Sequence, residues 1–172
     1  MIKYLSKRNK KIQKNSFAFT LIEMMVAVTV MGILTAVGVA SYRQFNERQK
    51  VVTAGKEVIT LLRNTQKKAK SGDRPIECDA PYRVLDGYKM RVTIATSQVD
   101  IIAMCRGLDV ITDTVLLTND AIFSSGGEYI FKGLSGGVDG AGVITVTDVN
   151  LVHSYEVEIT NTGAINDLGI VE

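Results

Sequence analysis

The apolar positions of this chain change period twice. From Phe19 to Ala40 they are nearly continuous, and the run FTLIEMMVAVTVMGILTAVGVA holds a single charge, Glu23. From Ser41 onward the sequence is mixed. Phe45, Val51, Val52, Gly55, Val58, Ile59, Leu62 and Ala69 recur there at three- and four-residue spacings. Between them fall Arg48, Lys50, Lys56, Glu57, Arg63, Lys67 and Lys68. That spacing predicts an amphipathic helix continuing the apolar one, with a stripe that needs covering. It should end near Ser71-Gly72-Asp73, before Pro75, with Lys67, Lys68 and Lys70 set favourably against the C-terminal dipole.

After Pro75 the period falls to two. Tyr88, Met90, Val92 and Ile94 alternate with Lys89, Arg91 and Thr93, the pattern of a half-buried strand. Thr96-Ser97 turns the chain, and Val99 to Met104 runs back. Further strands are expected at Val115–Thr118, Glu128–Lys132, Val143–Val149 and Ser154–Thr160. Asn161-Thr162-Gly163 then turns into a short Ala164-Ile165 strand. In the strand from Ser154, Tyr155, Val157 and Ile159 share one face. The fold class expected is α+β: one long N-terminal helix, hydrophobic in its first half, packed against a C-terminal antiparallel β-sheet domain.

Charge alters the picture of the N-terminus. The 172 residues carry 20 Lys+Arg against 18 Asp+Glu, a formal +2. Residues 1–18 hold Lys3, Lys7, Arg8, Lys10, Lys11 and Lys14 and no acid, which leaves 14 basic against 18 acidic residues beyond them, a net −4. The border is also where hydrophobicity rises. Twenty-two helical residues span roughly 33 Å, enough for a hydrocarbon core of roughly 30 Å. A basic segment before such a span stays in the cytoplasm, so the rest of the chain is expected outside it. Three readings fit this N-terminus. It could serve as a plain single-pass anchor, or as a secretory signal cut after Gly38-Val39-Ala40. The third is a short basic leader cut between Ala18 and Phe19.

Glu23 separates them. A carboxylate inside a membrane span costs roughly 2.5–3.5 kcal/mol and is there for a reason. A cut before Phe19 would place a free α-amino group one helical turn from Glu23, and a helix start favours a carboxylate. The same carboxylate can neutralise the new amino terminus of an adjacent subunit and so set a register within an apolar helix bundle.

The run Ala18-Phe19-Thr20-Leu21-Ile22-Glu23-Met24-Met25-Val26-Ala27-Val28 resembles the processing motif of type IV pilins and pseudopilins. The resemblance implies a pilin-like fold and cleavage between Ala18 and Phe19 by a prepilin peptidase/methyltransferase. It further implies N-methylation of Phe19 and an assembly role for Glu23. Implied partners are other pilin or pseudopilin subunits, the inner-membrane assembly platform and, before assembly, membrane lipid. Ala18 stands where the family usually has Gly, and Gly38-Val39-Ala40 where major pilins often carry a Pro. The later segments Leu61-Leu62-Arg63 to Lys70, Cys78 and Glu158 to Ala164 are similar, in short pieces, to H-type minor pseudopilins and their pilus counterparts. There the helix leads into a Cys-bearing strand.

The organisation expected is therefore a leader (1–18), a transmembrane and assembly helix (19–40), its amphipathic continuation (41–72) and a β-rich domain (73–172). In a compartment where disulfides persist, Cys78 and Cys105 are expected to pair, with two buried free thiols as the alternative. Two isolated cysteines and a distant His153 lack metal-ligand spacing. His153 is expected on the surface or on an edge strand, with no nucleophile motif to serve. Seven of the fifteen glycines lie between Gly126 and Gly142. A strand pattern follows them and no Gly-Lys-Ser/Thr occurs, so a loop is expected there, not a phosphate cradle. Asp139, Asp148 and Asn150 fall short of a full calcium ligand set. No cofactor or metal is expected, and the net −4 beyond the leader gives nucleic acid no basic patch.

The reading is a non-enzymatic structural subunit, a minor one, of a type IV pilus or type II secretion pseudopilus, held in the bacterial inner membrane before entering a periplasmic or extracellular filament. A membrane-anchored extracytoplasmic ligand-binding module, not built into a filament, is the alternative.

Overall fold

The computed structural model describes residues 19–78, 84–118, 120–133 and 137–171. Residues 1–18, with the leader and Ala18, lie outside the described residues, as does the Leu134-Ser135-Gly136 part of the glycine-rich segment. The architecture is one long N-terminal helix followed by antiparallel sheets, an α+β pilin-like arrangement.

Helix α1 runs Leu21–Ser71. Thr20 caps it, its hydroxyl oxygen accepting from the Glu23 N–H at 3.3 Å. At the other end Gly72 takes a φ of +67°, and the Asp73 N–H returns to the Lys68 carbonyl at 3.3 Å. That is the left-handed stop for which glycine carries no Cβ penalty. The chain separates into two compact units, the first ending at Ser41 and the second running Tyr42–Glu172.

In the second unit, a stripe of α1 formed by Val51, Ala54, Val58, Ile59, Leu62, Thr65 and Ala69 is buried. Phe45, expected to belong to this stripe, is instead exposed. Past a short 3-10 turn, Ile76–Cys78, come nine strands among the described residues. They are β1 (Leu85–Val92), β2 (Gln98–Cys105), β3 (Leu108–Leu116), β4 (Ile122–Ser125), β5 (Glu128–Lys132), β6 (Val138–Asp139), β7 (Gly142–Thr147), β8 (Ser154–Ile159) and β9 (Ile165–Val171).

They form two sheets where one was expected: β3-β2-β1-β5-β6 and β4-β7-β8-β9, each paired antiparallel throughout. Of the strand expected at Val115–Thr118, only Val115 and Leu116 are strand. They end β3, which starts seven residues earlier at Leu108, while Leu117 and Thr118 lie beyond it. Ile94, expected at the end of a strand, sits exposed in the turn after β1. The last strand is a full one, Ile165–Val171.

A single buried cluster joins the helix stripe to both sheets. The first sheet contributes Tyr88, Met90, Val99, Ile101, Tyr129 and Phe131; the second contributes Phe123, Ile144, Val146, Tyr155, Val157 and Ile159. Polar ties fix the helix at two levels. Glu57 accepts from the Thr118 hydroxyl at 3.0 Å, and the Gln66 amide donates to the Gly163 carbonyl at 2.7 Å.

On the other face of the first sheet the alternation is not apolar against exposed. Lys89 and Ile102, opposite each other in the β1–β2 ladder, are both buried. The Lys89 ammonium lies 2.7 Å from Asp109 on β3 and 3.7 Å from Glu128 on β5. A lysine stem can lie along apolar surface while its charged end meets these acids.

Candidate functional site

The start of α1 is built by its own sequence. Thr20 and Glu23 stand in the Thr-x-x-Glu spacing of a capping box, a signal that the reading from charge alone overlooked. The first turn thus contains an acid where the unpaired N–H groups and the macrodipole favour one. Phe19, just before the helix, is 68% exposed, and Glu23 is exposed as well.

Beyond them the apolar side chains find nothing to cover them among the described residues. Leu21, Met25, Val28, Met31, Ile33, Leu34 and Val37 all remain largely exposed. An 18-residue window here has a mean hydropathy of 2.1 and none of it is buried, so the helix is long and apolar enough to cross a membrane. Its hydroxyls suit that environment. Thr29 donates to the Met25 carbonyl at 2.6 Å and Thr35 to the Met31 carbonyl at 2.7 Å, so neither needs water.

Residues 13–39 match the prokaryotic N-terminal methylation motif. That motif supports a type IV pilin- or pseudopilin-like prepilin. No match was found among curated proteins or solved structures. For a prepilin, the motif points to a structural subunit, and it implies processing by prepilin peptidase and assembly with other pilins. The apolar helix start fits membrane anchoring.

The remaining candidate residues are scattered. Cys78 and Cys105 are joined by a disulfide, both almost fully buried. It ties the 3-10 turn after the helix to the end of β2, so Cys78 lies on a turn and not on the strand that the H-type likeness implied. A strand there would need ladder partners, and the chain is still leaving the helix at this point.

His153 is also placed differently from expectation. Its side chain is only 12% exposed, in the turn just before β8 and beside Asp148. Its Nδ1 lies 4.0 Å from Asp148 and has no hydrogen-bond partner among the described residues.

Asp139 pairs with Lys132 at 2.9 Å, while Asp148 is engaged by its own turn. The described part of the glycine-rich segment connects strands on both sides, β5 to β6 and β6 to β7. Among the described residues, no group of three or more His, Cys, Asp or Glu is placed to hold a metal ion.

Titration is perturbed within the sheets. The Arg91 guanidinium, bonded to Glu128 at 2.7 Å, holds that carboxyl below its usual value, and Lys89 adds to the effect. Burial, then the hydrogen bond to Asp167 at 2.6 Å and its charge, pushes the Tyr155 phenol up to about 12. Both positions support the fold and stand on β-strands of the second unit.

Proposed function

We propose that this prepilin is cut between Ala18 and Phe19, methylated on the Phe19 amino group, and stored in the inner membrane until it joins a filament. The filament is a type IV pilus or a type II secretion pseudopilus, and this subunit is a minor one of the H-type kind. The observation that carries the reading is the methylation motif at residues 13–39. Its apolar helix start agrees with it, since none of that stretch is buried among the described residues. Lipid covers such a surface before assembly, and neighbouring helices cover it afterwards.

In this reading Glu23 forms an ion pair with the amino terminus of an adjacent subunit. An unpaired acid in an apolar bundle is costly, so pairing selects one axial register. The domain organisation follows: leader 1–18, assembly helix 19–40, its continuation 41–72, and β-rich domain 73–172, which faces the neighbours that give the filament its identity. No catalytic role is assigned to any residue.

N-terminal sequencing of the membrane-extracted protein tests the processing step. The expected first residue is N-methylphenylalanine; a start at Ser41, or an intact Met1, would overturn it. Glu23→Ala tests the assembly step. Because Thr20 caps the backbone N–H of residue 23, the helix start survives the substitution. The variant should accumulate in the membrane and be missing from sheared filaments, and its normal incorporation would contradict the ion-pair role.

A further inference from the structure

The turn joining β7 to β8 presents three apolar side chains to solvent: Val149 is 64%, Leu151 67% and Val152 64% exposed. Hairpin tips are ordinarily made of Gly, Asn, Asp and Ser. This one is also held in an unfavourable conformation. Leu151 has a φ of +58°, a region that a bulky side chain rarely enters.

Asp148 enforces it. Its carbonyl accepts from the Leu151 N–H at 3.0 Å, and its carboxylate from the Val152 and His153 N–H groups at 2.8 and 3.1 Å. The buried Asp148 thus fixes the loop in a shape that keeps the three apolar groups outward. Strain held at a site over-determined by its surroundings suggests that the presented surface is used.

The position of the tip suggests for what. Asp148, Val149 and Asn150 share the lining of a cavity of about 300 Å³ with Glu47, Lys50 and Val51 of α1. Glu47 lies seven residues beyond Ala40, where the apolar run ends. Seven residues of chain reach no farther than about 25 Å, whatever path they take. Tyr42 and Phe45, both exposed, occupy the interval, and aromatic side chains are enriched where a span meets the headgroups.

We infer that the β7–β8 turn is a membrane-contact finger: Val149, Leu151 and Val152 dip into the headgroup–acyl boundary of the bilayer that the apolar helix spans. The contact belongs to the membrane-bound subunit. It rests on the membrane-anchoring reading of residues 19–40 and not on the filament reading. Interfacial binding of this kind scales with buried apolar area.

The test uses the full chain in phosphatidylcholine–phosphatidylglycerol vesicles. The native cysteines are joined to each other, so one added thiol can be labelled alone. An environment-sensitive dye at Val149→Cys is compared with the same dye at Ile111→Cys, an exposed position on β3. Spin-labelled lipid should quench the Val149 probe at least about twofold more than the Ile111 probe, with a blue shift.

In a Leu151→Asn, Val152→Ser background that excess should fall by at least about half, since the apolar area is gone. The melting temperature should stay the same or rise, because Asn tolerates the left-handed conformation. Equal quenching at the two positions would overturn the finger. So would self-quenching at Val149 that grows with protein-to-lipid ratio without lipid quenching, which would assign the tip to a second copy. Flotation separates the premises: a chain that fails to float removes anchor and finger together, whereas a floating chain with an unquenched tip removes the finger alone.

Discussion

Gly55 of α1 lies so close to the ring of Tyr155 on β8 that a Cβ added to the glycine would overlap the ring atoms Cγ, Cδ1 and Cε1. The amphipathic helix thereby gains a flat site where the second sheet can approach. Tyr155 is at once the ring filling that site and, through its hydroxyl, the anchor of β9 at Asp167.

Gly55→Ala should therefore destabilise the protein. Helix propensity alone favours Ala by about 1 kcal/mol, but overpacking against a buried ring costs about 1–3 kcal/mol. A lower denaturation midpoint in urea is expected, and a raised midpoint would refute the close approach. Tyr155→Leu in the same background should recover part of the loss, since the clash is with the ring.

The Tyr155 phenol should ionise late in an alkaline titration. Its ordinary value is 10.0 and its native value about 12, so between these the native state keeps a proton that the unfolded chain has released. The contribution to stability is complete below pH 10 and is lost as the pH climbs to about 12. Absorbance near the tyrosinate band should show a late phase, and Tyr155→Phe should delete it.

Glu128 gives the opposite dependence at the acid end. Its native value is lowered from 4.5, chiefly by the Arg91 hydrogen bond, so its contribution is present above 4.5 and fades as the pH falls through the depressed value. With Glu128 47% exposed, solvent screens the pair and the effect is small. Arg91→Met should lower the melting temperature slightly at neutral pH, and the difference from the parent should close in acid.

Reducing the Cys78–Cys105 disulfide releases a closure of 27 residues. The chain-entropy relation puts the loss at about 3.5 kcal/mol. The Cys78→Ala, Cys105→Ala double variant should show a lower denaturation midpoint, and added reductant should bring the parent down toward it while leaving the variant unchanged.

The helix was readable almost to the residue, because its signals are local: continuous apolar positions, then a three-four spacing, then Gly72 and Pro75. Strands β5 and β8 were readable for the same reason, each alternating cleanly through its length. The sequence left β3 and β9 largely hidden. Both are edge strands with few buried positions, and Asn166, Asp167 and Gly169 read as turn formers. Short β4 contributes one fully buried side chain, Phe123, too little for a periodic signal.

Lys89 was assigned to the wet face of its strand by period alone. Its burial depends on Asp109 and Glu128, which stand on two other strands. His153 is half-buried in the turn before β8 because the folded turn brings it beside Asp148. Glu23 and Phe19 could be singled out in one dimension because a charge within an apolar run is costly wherever the run is placed.

By itself, then, the sequence determined the basic segment at residues 1–18, the apolar run with its single acid, the methylation motif and the change from helical to strand periodicity. Each depends on residues close together in the chain. Tertiary structure alone decided the division into two sheets, the meeting of Gly55 with Tyr155, the burial of Lys89 and the Asp148-held turn that carries Leu151 outward. These depend on which strands become neighbours, and that is settled by a shared core assembled from residues far apart in sequence.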